Sequence, residues 1–177
     1  GRAGAGRTLA SSRDAVELAA THPRVFAAAG VHPHHAGTAS DDVLREIEAL
    51  TRRERVVAWG EIGLDYYYDY SPRDVQRDAF HRQLERACAL DLPVIVHSRD
   101  AEPDTADLLA AFAGRIRGVL HCFTGTAALA EAALDVGLHI SFSGILTFPK
   151  AQDIRDVAAT VPLDRLLVET DAPYLAP

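Results

Sequence analysis

The chain has 177 residues, of which 48% are hydrophobic and 24% are charged, and its formal net charge is −7 at pH 7. This length and composition predict one domain, spanning residues 1–177, with a sizeable core, and they disfavour disorder or a membrane span. The acidic balance disfavours a protein that coats nucleic acid through bulk positive charge. It is compatible with an acidic enzyme whose bound cations reverse the local field.

Cysteine content and the first residues bear on the cellular compartment. Cys88 and Cys122 are the only two cysteines, too few for the disulfide framework of a small secreted protein. The chain does not begin with the apolar stretch of a signal peptide. We therefore expect a cytoplasmic protein that contacts no membrane and has no obligate protein partner. Because the sequence contains no Met, we also expect a processed chain or a piece of a longer one.

Six short apolar runs alternate with amphipathic stretches of 10–18 residues. Each run is too short for a helix and almost continuously apolar, which is typical of strands buried on both faces of a sheet. The predicted strands are Val25–Val31, Val56–Ile62, Pro93–His97, Gly118–Phe123, Leu138–Phe142 and Leu166–Thr170.

The stretches between the strands carry helix-start and helix-stop signals. Ser40 and Thr126 each precede an apolar pattern with 3–4 residue spacing and predict helix N-caps. Ser71 is followed by Pro72 and, three residues after the predicted cap, by Asp74, so we predict a third cap at Ser71. Gly137 predicts the end of the helix that Thr126 begins.

This alternation predicts an α/β protein with a parallel sheet and helices outside it. Six strands in 177 residues correspond to about 30 residues per βα unit, whereas a full eight-unit barrel needs about 250 residues. The periodicity leaves two architectures open, namely six units of a (β/α)₈ TIM-type barrel and an open doubly wound sheet.

Polar side chains follow five of the six predicted strands, at the end where each strand stops. A lone histidine at the end of a strand is more often structural than functional. The carboxyl ends of parallel strands face one crevice, however, so the polar side chains at these five strand ends are expected to lie close together. Imidazole and carboxylate groups from different strands form the ligand sets of divalent-metal hydrolases. The polar residues in question are His32, His34, Glu61, Asp65, His97, Arg99, His121, Glu169 and Asp171.

Two neighbouring features have less specific interpretations. Cys122 follows His121, so strand alternation predicts that its side chain points away from the site and into the core. Tyr66, Tyr67, Tyr68 and Tyr70 lie just beyond Glu61. They are interpreted equally well as a packed loop and as a stacking platform for a nucleobase.

Five ordered motifs give the chain a specific resemblance to the TatD family of metal-dependent deoxyribonucleases, within the amidohydrolase-like barrels. The resemblance extends from about Leu9 to Pro177. The matching stretches are Gly30-Val-His-Pro-His34, Gly60-Glu-Ile-Gly-Leu-Asp-Tyr-Tyr67, Leu92-Pro-Val-Ile-Val-His-Ser-Arg-Asp-Ala101, His121-Cys-Phe-Thr-Gly125 and Glu169-Thr-Asp-Ala-Pro-Tyr-Leu175.

The resemblance implies a (β/α)₈ barrel with two divalent metal ions, which we expect to be Mg²⁺, Mn²⁺ or Zn²⁺. In it Glu61 would bridge both ions, and His97 and His121 would complete one site. Asp171 would bind the other ion and orient or deprotonate the attacking water. His32 and His34 would lie at the rim and meet the substrate phosphate, and Tyr66 and Arg99 are further candidates for substrate binding.

The chain departs from the family pattern at both ends. The family opens with a strand that ends in a His-x-His pair, and nothing in this sequence matches it. The family also continues beyond the position of Pro177 with further helices. We therefore expect a TIM-type barrel truncated to about six βα units, corresponding to the third to eighth strands.

The implied activity is metal-dependent hydrolysis of DNA phosphodiester bonds, as an exodeoxyribonuclease that acts on single-stranded DNA or 3′ ends. Two alternatives stay open. One is an aminoacyl-tRNA deacylase or another ester or amide hydrolase of the amidohydrolase type. The other is a non-catalytic fragment, since a chain without the His-x-His pair is expected to have little or no activity.

Overall fold

The computed structural model describes residues 2–172 of the chain. Strands and α-helices alternate along this part. The strands are β1 (Arg2–Ala5), β2 (Val25–Ala29), β3 (Val56–Asp65), β4 (Val94–Arg99), β5 (Gly118–Leu120), β6 (Leu138–Phe142) and β7 (Leu166–Val168). The helices are α1 (Leu9–Thr21), α2 (Asp41–Thr51), α3 (Arg73–Ala89), α4 (Glu102–Ala110), α5 (Ala127–Asp135) and α6 (Gln152–Thr160). Short 3₁₀ segments, Pro33–Thr38 and Gly144–Thr147, follow β2 and β6.

The strands form one parallel sheet in which they lie in their sequence order, β1 to β7. A doubly wound sheet reverses its strand order at a switch point, whereas a TIM-type barrel adds each strand beside the preceding one. The order therefore decides between the two predicted architectures in favour of the barrel.

The structure has one strand more than the sequence predicted. Arg2–Ala5 contains no β-branched or aromatic residue, so its composition carries no strand signal. It is a strand because it pairs in parallel register with residues 25–28 of β2. The sequence predicted six strands, whereas the described residues form seven. The expectation that the chain begins with the third strand of a barrel is therefore wrong by one strand, because β1 precedes the first predicted strand. Five predicted carboxyl ends also differ from the structure. The end of β3 lies three residues later, at Asp65, and that of β5 three residues earlier, at Leu120, and the ends of β2, β4 and β7 differ by two residues each.

Most of the predicted helix signals are confirmed. The Ser40 and Thr126 hydroxyls accept hydrogen bonds from the third backbone N–H of α2 and α5, and Gly137 follows α5 with a φ of +98°. The predicted cap at Ser71 is wrong. Pro72 occupies the cap position of α3 without a side-chain bond, and the Ser71 hydroxyl donates instead to the backbone oxygen of His34.

The best-buried part of the sheet is its centre. Nine of the ten residues of β3 are buried, and Val94 and Val96 of β4 have no exposed surface. Apolar residues of α3, including Phe80 and Leu84, pack over these strands. A rigid, buried pair of strands therefore supports the residues at the ends of β3 and β4. Within residues 2–172, no helix combines the length and the apolarity that crossing a membrane requires.

Candidate metal centre

Glu61 of β3 is the hub of the polar cluster at the carboxyl ends of the strands. Its Oε1 lies 2.8 Å from His121 Nε2, 3.2 Å from His97 Nδ1 and 3.3 Å from His32 Nε2. These histidines follow or belong to three different strands, so one carboxylate oxygen gathers three imidazoles. The sheet thus brings together residues that are up to 89 positions apart in the sequence, as His32 and His121 are.

A glycine allows the close approach of β3 and β4 that places His97 beside Glu61. Gly63 has a φ of +134°. A Cβ at this position would lie only 1.9 Å from the backbone oxygen of His97, which no side chain can tolerate. Gly63 is therefore required by the geometry that aligns the two strands.

Asp65 is a second buried carboxylate on the same edge of the sheet. Its Oδ2 lies 2.8 Å from His34 Nε2 and 3.0 Å from His97 Nε2, and its Oδ1 accepts hydrogen bonds from the backbone N–H groups of Tyr67 and Tyr68. Burial opposes its ionisation, but these hydrogen bonds outweigh burial and hold the pKa of Asp65 below its usual range.

Glu169, just after β7, supplies a third carboxylate. Its Oε2 lies 3.3 Å from His121 Nδ1, and its Oε1 accepts the backbone N–H of Cys122. Acidic groups and imidazoles therefore alternate across the sheet. We call this row of side chains the acid–imidazole chain, and its members in order are Asp65, His97, Glu61, His121 and Glu169.

The electrostatics of the acid–imidazole chain follow from this alternation. Each nitrogen of His97 and of His121 faces a carboxylate, so these contacts outweigh burial and raise both pKa values, to about 10 for His121. Burial alone would raise the pKa of Glu61, but hydrogen bonds from the three histidines hold it well below its usual range. His32 is the exception, because burial dominates and lowers its pKa to about 4.

The donor set fits a divalent metal ion. One ligand atom from each of His32, Glu61 and His97 lies within 4.8 Å of the other two. Imidazole nitrogen and carboxylate oxygen together suit Zn²⁺ and Mn²⁺, and carboxylates also suit Mg²⁺. Protons on His97 and His121 compensate the buried carboxylates in the metal-free chain, and a cation would take over that compensation on binding.

Asp171 lies at the margin of this cluster. Its Oδ2 is 3.7 Å from Cys122 Sγ. Burial and the nearby negative charges of Glu61 and Glu169 raise the pKa of Asp171 above its usual value, against the opposing effect of His121. A carboxylate of this kind binds a proton or a cation more readily than an exposed one does.

One predicted rim residue lies deeper than expected, and the two further candidates for substrate binding contact residues of their own loop and its neighbours. His32 lies inside the cluster with 2% exposure and not at its rim, because its Nδ1 accepts the backbone N–H of His34 and its Nε2 is thereby turned toward Glu61. The Tyr66 hydroxyl donates to Asp104, and its ring packs against Arg73. Arg99 lies over the rings of Tyr67 and Tyr68.

The prediction that Cys122 points into the core is also wrong. Alternation of side chains holds only within a strand, and β5 ends two residues earlier, at Leu120. With a φ of +47°, Cys122 turns its Sγ toward Ser143 and Asp171. Burial raises the pKa of this thiol to about 12, so it is a neutral neighbour of the site.

Sequence reasoning gave no role to three residues that the structure places in the cluster. Asp65 and Glu169 stand out only as polar ends of strands. Asp65 is four residues after Glu61 in β3, and that even spacing, which puts both on one face, is a signal that could have found it. Arg7 contacts His32 and His34, but it follows β1, the strand that composition does not reveal.

Comparison with known proteins gives a consistent result. A family model described as "TatD related DNase" matches residues 4–177. The chain is 40% identical over 164 residues to the "Uncharacterized metal-dependent hydrolase YabD" of Bacillus subtilis (strain 168), covering 92% of this chain and 64% of that protein. It is 40% identical over 175 residues to the "3′-5′ ssDNA/RNA exonuclease TatD" of Pantoea sp. (strain At-9b), covering 97% and 67%.

A solved structure agrees with these sequence relatives. The crystal structure of YJJV, a TatD homologue from Escherichia coli K12, superimposes with a TM-score of 0.90 at 35% identity, covering 98% of this chain and 68% of that one. The chain thus spans somewhat under two thirds of the length of the first curated relative that it matches.

Proposed function

The chain belongs to the TatD-related DNase family, and from that premise we propose that its Glu61-centred site binds divalent cations and hydrolyses phosphodiester bonds of single-stranded DNA from the 3′ end. The observation that carries the proposal is the convergence of three imidazole nitrogens, from His32, His97 and His121, within 2.8–3.3 Å of a single carboxylate oxygen. One relative bears the name of a 3′-5′ exonuclease of single-stranded DNA and RNA, which supports the choice of substrate.

The acid–imidazole chain divides into ligands and residues that orient them. Glu61 would contact two ions, His97 and His121 would complete the ligands of one, and Asp171 would serve the other. Asp65 and Glu169 hold the second nitrogen of His97 and of His121. Such outer carboxylates fix the orientation of a ligating imidazole and increase its basicity.

The remaining groups have separate tasks in the proposed reaction. Bound divalent cations would lower the pKa of water and offset the negative charge of the phosphate. Asp171, whose pKa is raised, would accept a proton from the attacking water. His34 lies at the outer side of Asp65 with 13% of its side chain exposed. Its Nε2–H donates to Asp65 and its Nδ1 accepts from Arg7, so it would meet the substrate phosphate together with Arg7, which keeps free donors for that group.

The test is a cleavage assay with the purified chain on 5′-labelled single-stranded DNA, with Mg²⁺, Mn²⁺ or Zn²⁺ and with EDTA. We expect stepwise shortening from the 3′ end that requires metal. This departs from the expectation that a chain without a His-x-His pair has little or no activity, because His32 lies within the cluster and offers a further imidazole to a cation. Glu61→Gln should reduce the rate by about 10²–10⁴, since loss of a clamping cation removes several kcal/mol of transition-state stabilisation.

Glu131→Gln is the matched control, because Glu131 is an exposed acid on α5, outside the cluster. It should cleave like the wild type. Absence of metal-dependent cleavage of any DNA would contradict the proposal, and so would a fully active Glu61→Gln variant. Cleavage of ester or amide substrates without cleavage of DNA would instead favour the amidohydrolase alternative.

A further inference from the structure

We propose that Tyr68, Tyr70 and Arg7, grouped around His34, form a nucleotide-binding surface that stacks an unpaired base on the tyrosines and holds the adjoining phosphate at Arg7. We call these four residues the His34 surface. The inference rests on the proposed function for the nature of the ligand, a single DNA strand, and it adds the groups that would position that strand.

The tyrosine side of the His34 surface is open to solvent. Tyr68 and Tyr70 are 44% and 67% exposed. Their rings are nearly parallel, with an interplanar angle of 16° and centroids 5.3 Å apart. Paired aromatic rings that leave this much apolar area uncovered are typical of a binding surface, and every nucleobase has a flat face that stacks on such rings.

His34 connects these rings to the candidate metal centre. Its ring centroid lies 4.9 Å from that of Tyr70 and 5.3 Å from that of Tyr68, in edge-to-face arrangements. Its Nε2 lies 2.8 Å from Asp65, the first member of the acid–imidazole chain. A base stacked on Tyr70 is therefore one side chain away from the groups proposed to hold the metal ions.

Arg7 forms the charged side of the same surface. Its Nη2 lies 3.1 Å from His34 Nδ1 and 3.5 Å from His32 Nδ1. In the part of the chain that the structure describes, its guanidinium faces these imidazoles and makes no ion pair with a carboxylate. An arginine held in this way keeps its charge and most of its donors for a phosphate group.

Arg99 strengthens the choice of a nucleic acid over an apolar ligand. Its guanidinium carbon lies 3.9 Å from the ring centre of Tyr67 and 5.0 Å from that of Tyr68, a cation–π contact that fixes the tyrosine loop. Arg7 and Arg99 thus lie on two sides of the exposed tyrosine rings, next to the acid–imidazole chain. Rings alternating with positive charge match the bases and phosphates of a single strand.

The experiment measures binding apart from cleavage. The probe is a fluorescently labelled oligothymidylate with phosphorothioate linkages, which resist hydrolysis, and the readout is fluorescence anisotropy with the whole chain in Mg²⁺. Tyr70→Leu should weaken binding about 5-fold to 100-fold. Tyr70→Phe retains the ring and should bind like the wild type, which separates stacking from loss of fold.

A second probe separates the two sides of the surface. In an oligonucleotide whose 3′-terminal nucleotide and its neighbour lack bases, Tyr70→Leu should cause no further loss of affinity. Arg7→Gln should weaken binding of both probes equally and should reduce the slope of log affinity against log salt concentration by about 0.7, the value for one phosphate contact of a single strand.

These outcomes distinguish the inference from the proposed function. If Tyr70→Leu and Tyr70→Phe bind the intact probe equally, or if the wild type does not bind it at all, the inference is wrong. Cleavage of ordinary DNA by the wild type would leave the proposed function standing in either case. Binding with the predicted variant pattern, but without cleavage in any metal, would support the surface and count against the hydrolase.

Discussion

The centre of the sheet and its β7 side support the candidate site very differently. In β3 nine of ten residues are buried, and the strand pairs with both β2 and β4. In β7, Leu167 and Val168 are 45% and 79% exposed, and the strand pairs with β6 in the described part of the chain. Glu61, Asp65 and His97 therefore lie on a rigid base, whereas Glu169 and Asp171 follow a largely exposed strand, and Glu169 is held there by its backbone N–H bond to Phe142 of β6.

This difference separates the roles of the two regions. The central residues form most of the acid–imidazole chain, which is preorganised by strand pairing and by buried hydrogen bonds such as those of Gln76 to the backbone of Asp65. The β7 side contributes Glu169, which belongs to the acid–imidazole chain, and Asp171, which does not. If the proposed site holds two cations, the position formed by the centre should bind its ion more tightly than the position that includes Asp171.

The largest expected effect is on stability, and it compares two leucines of the same sheet. Leu64 of β3 has no exposed surface and Leu167 of β7 is 45% exposed. Leu64→Ala should lower the free energy of unfolding by about 2–5 kcal/mol because it opens a cavity, and Leu167→Ala should lower it by less than about 1 kcal/mol. Urea denaturation followed by circular dichroism measures both, and equal losses would contradict the comparison.

The second prediction concerns pH and the metal-free chain. Contacts with carboxylates raise the pKa of His121 to about 10 and that of His97 above its usual value, so the folded chain binds protons that the unfolded chain releases above about pH 6.5. This stabilisation is complete below pH 6.5 and is lost as the pH rises toward 10. In EDTA, the Tm should fall by several degrees between pH 6.5 and 8.5.

A control is available for this pH effect. Burial also raises the pKa of Cys88 and of Cys122, which acts in the same direction near the upper end of the window, so a histidine variant is needed to isolate the imidazoles. In His121→Asn the dependence of Tm on pH should be flatter than in the wild type. A wild-type Tm that is constant or rises across this window would show that the two imidazoles are not protonated by their carboxylate neighbours.

The smallest expected effects are on stability, and they differ between the two acidic residues that follow β7. Glu169→Gln weakens the contact with His121 and should cost about 1–3 kcal/mol of stability. Burial and neighbouring carboxylates raise the pKa of Asp171, which means that its negative charge is unfavourable in the folded chain. Asp171→Asn removes this charge, so the free energy of unfolding of the metal-free chain should be unchanged or up to about 1 kcal/mol higher. Thermal unfolding in EDTA compares the two variants. A larger loss of stability in Asp171→Asn than in Glu169→Gln would contradict the conclusion that Glu169, and not Asp171, stabilises the metal-free cluster.

Local sequence signals predicted the elements that depend on local physics. The apolar runs located β2 to β7, and Ser40, Thr126 and Gly137 marked helix ends correctly, because capping and burial involve neighbouring residues. β1 escaped prediction because its residues are small, and only pairing with β2 makes them a strand. Ser71 was misinterpreted because its hydroxyl has a distant partner, the backbone oxygen of His34.

The candidate site was predictable to the extent that strand ends converge. Glu61, His97 and His121 lie together as a parallel sheet requires. The depth of His32 was not predictable, because it follows from the 3₁₀ turn after β2 and the hydrogen bond from His34. The contacts of Arg7 with His32 and His34 join positions 25 and 27 residues apart, which no spacing rule indicates.

The most direct test of the central claim is calorimetric titration of the EDTA-stripped chain with Zn²⁺ or Mn²⁺. If Glu61 is the hub of the metal centre, the wild type binds at least one ion tightly and releases protons as it does so. Glu61→Gln should then lose more than the roughly 100-fold in affinity that removal of an outer partner costs, while Glu131→Gln binds like the wild type and both variants keep the wild-type circular dichroism. Equal affinity in Glu61→Gln and the wild type, or no binding by the wild type, would contradict the account.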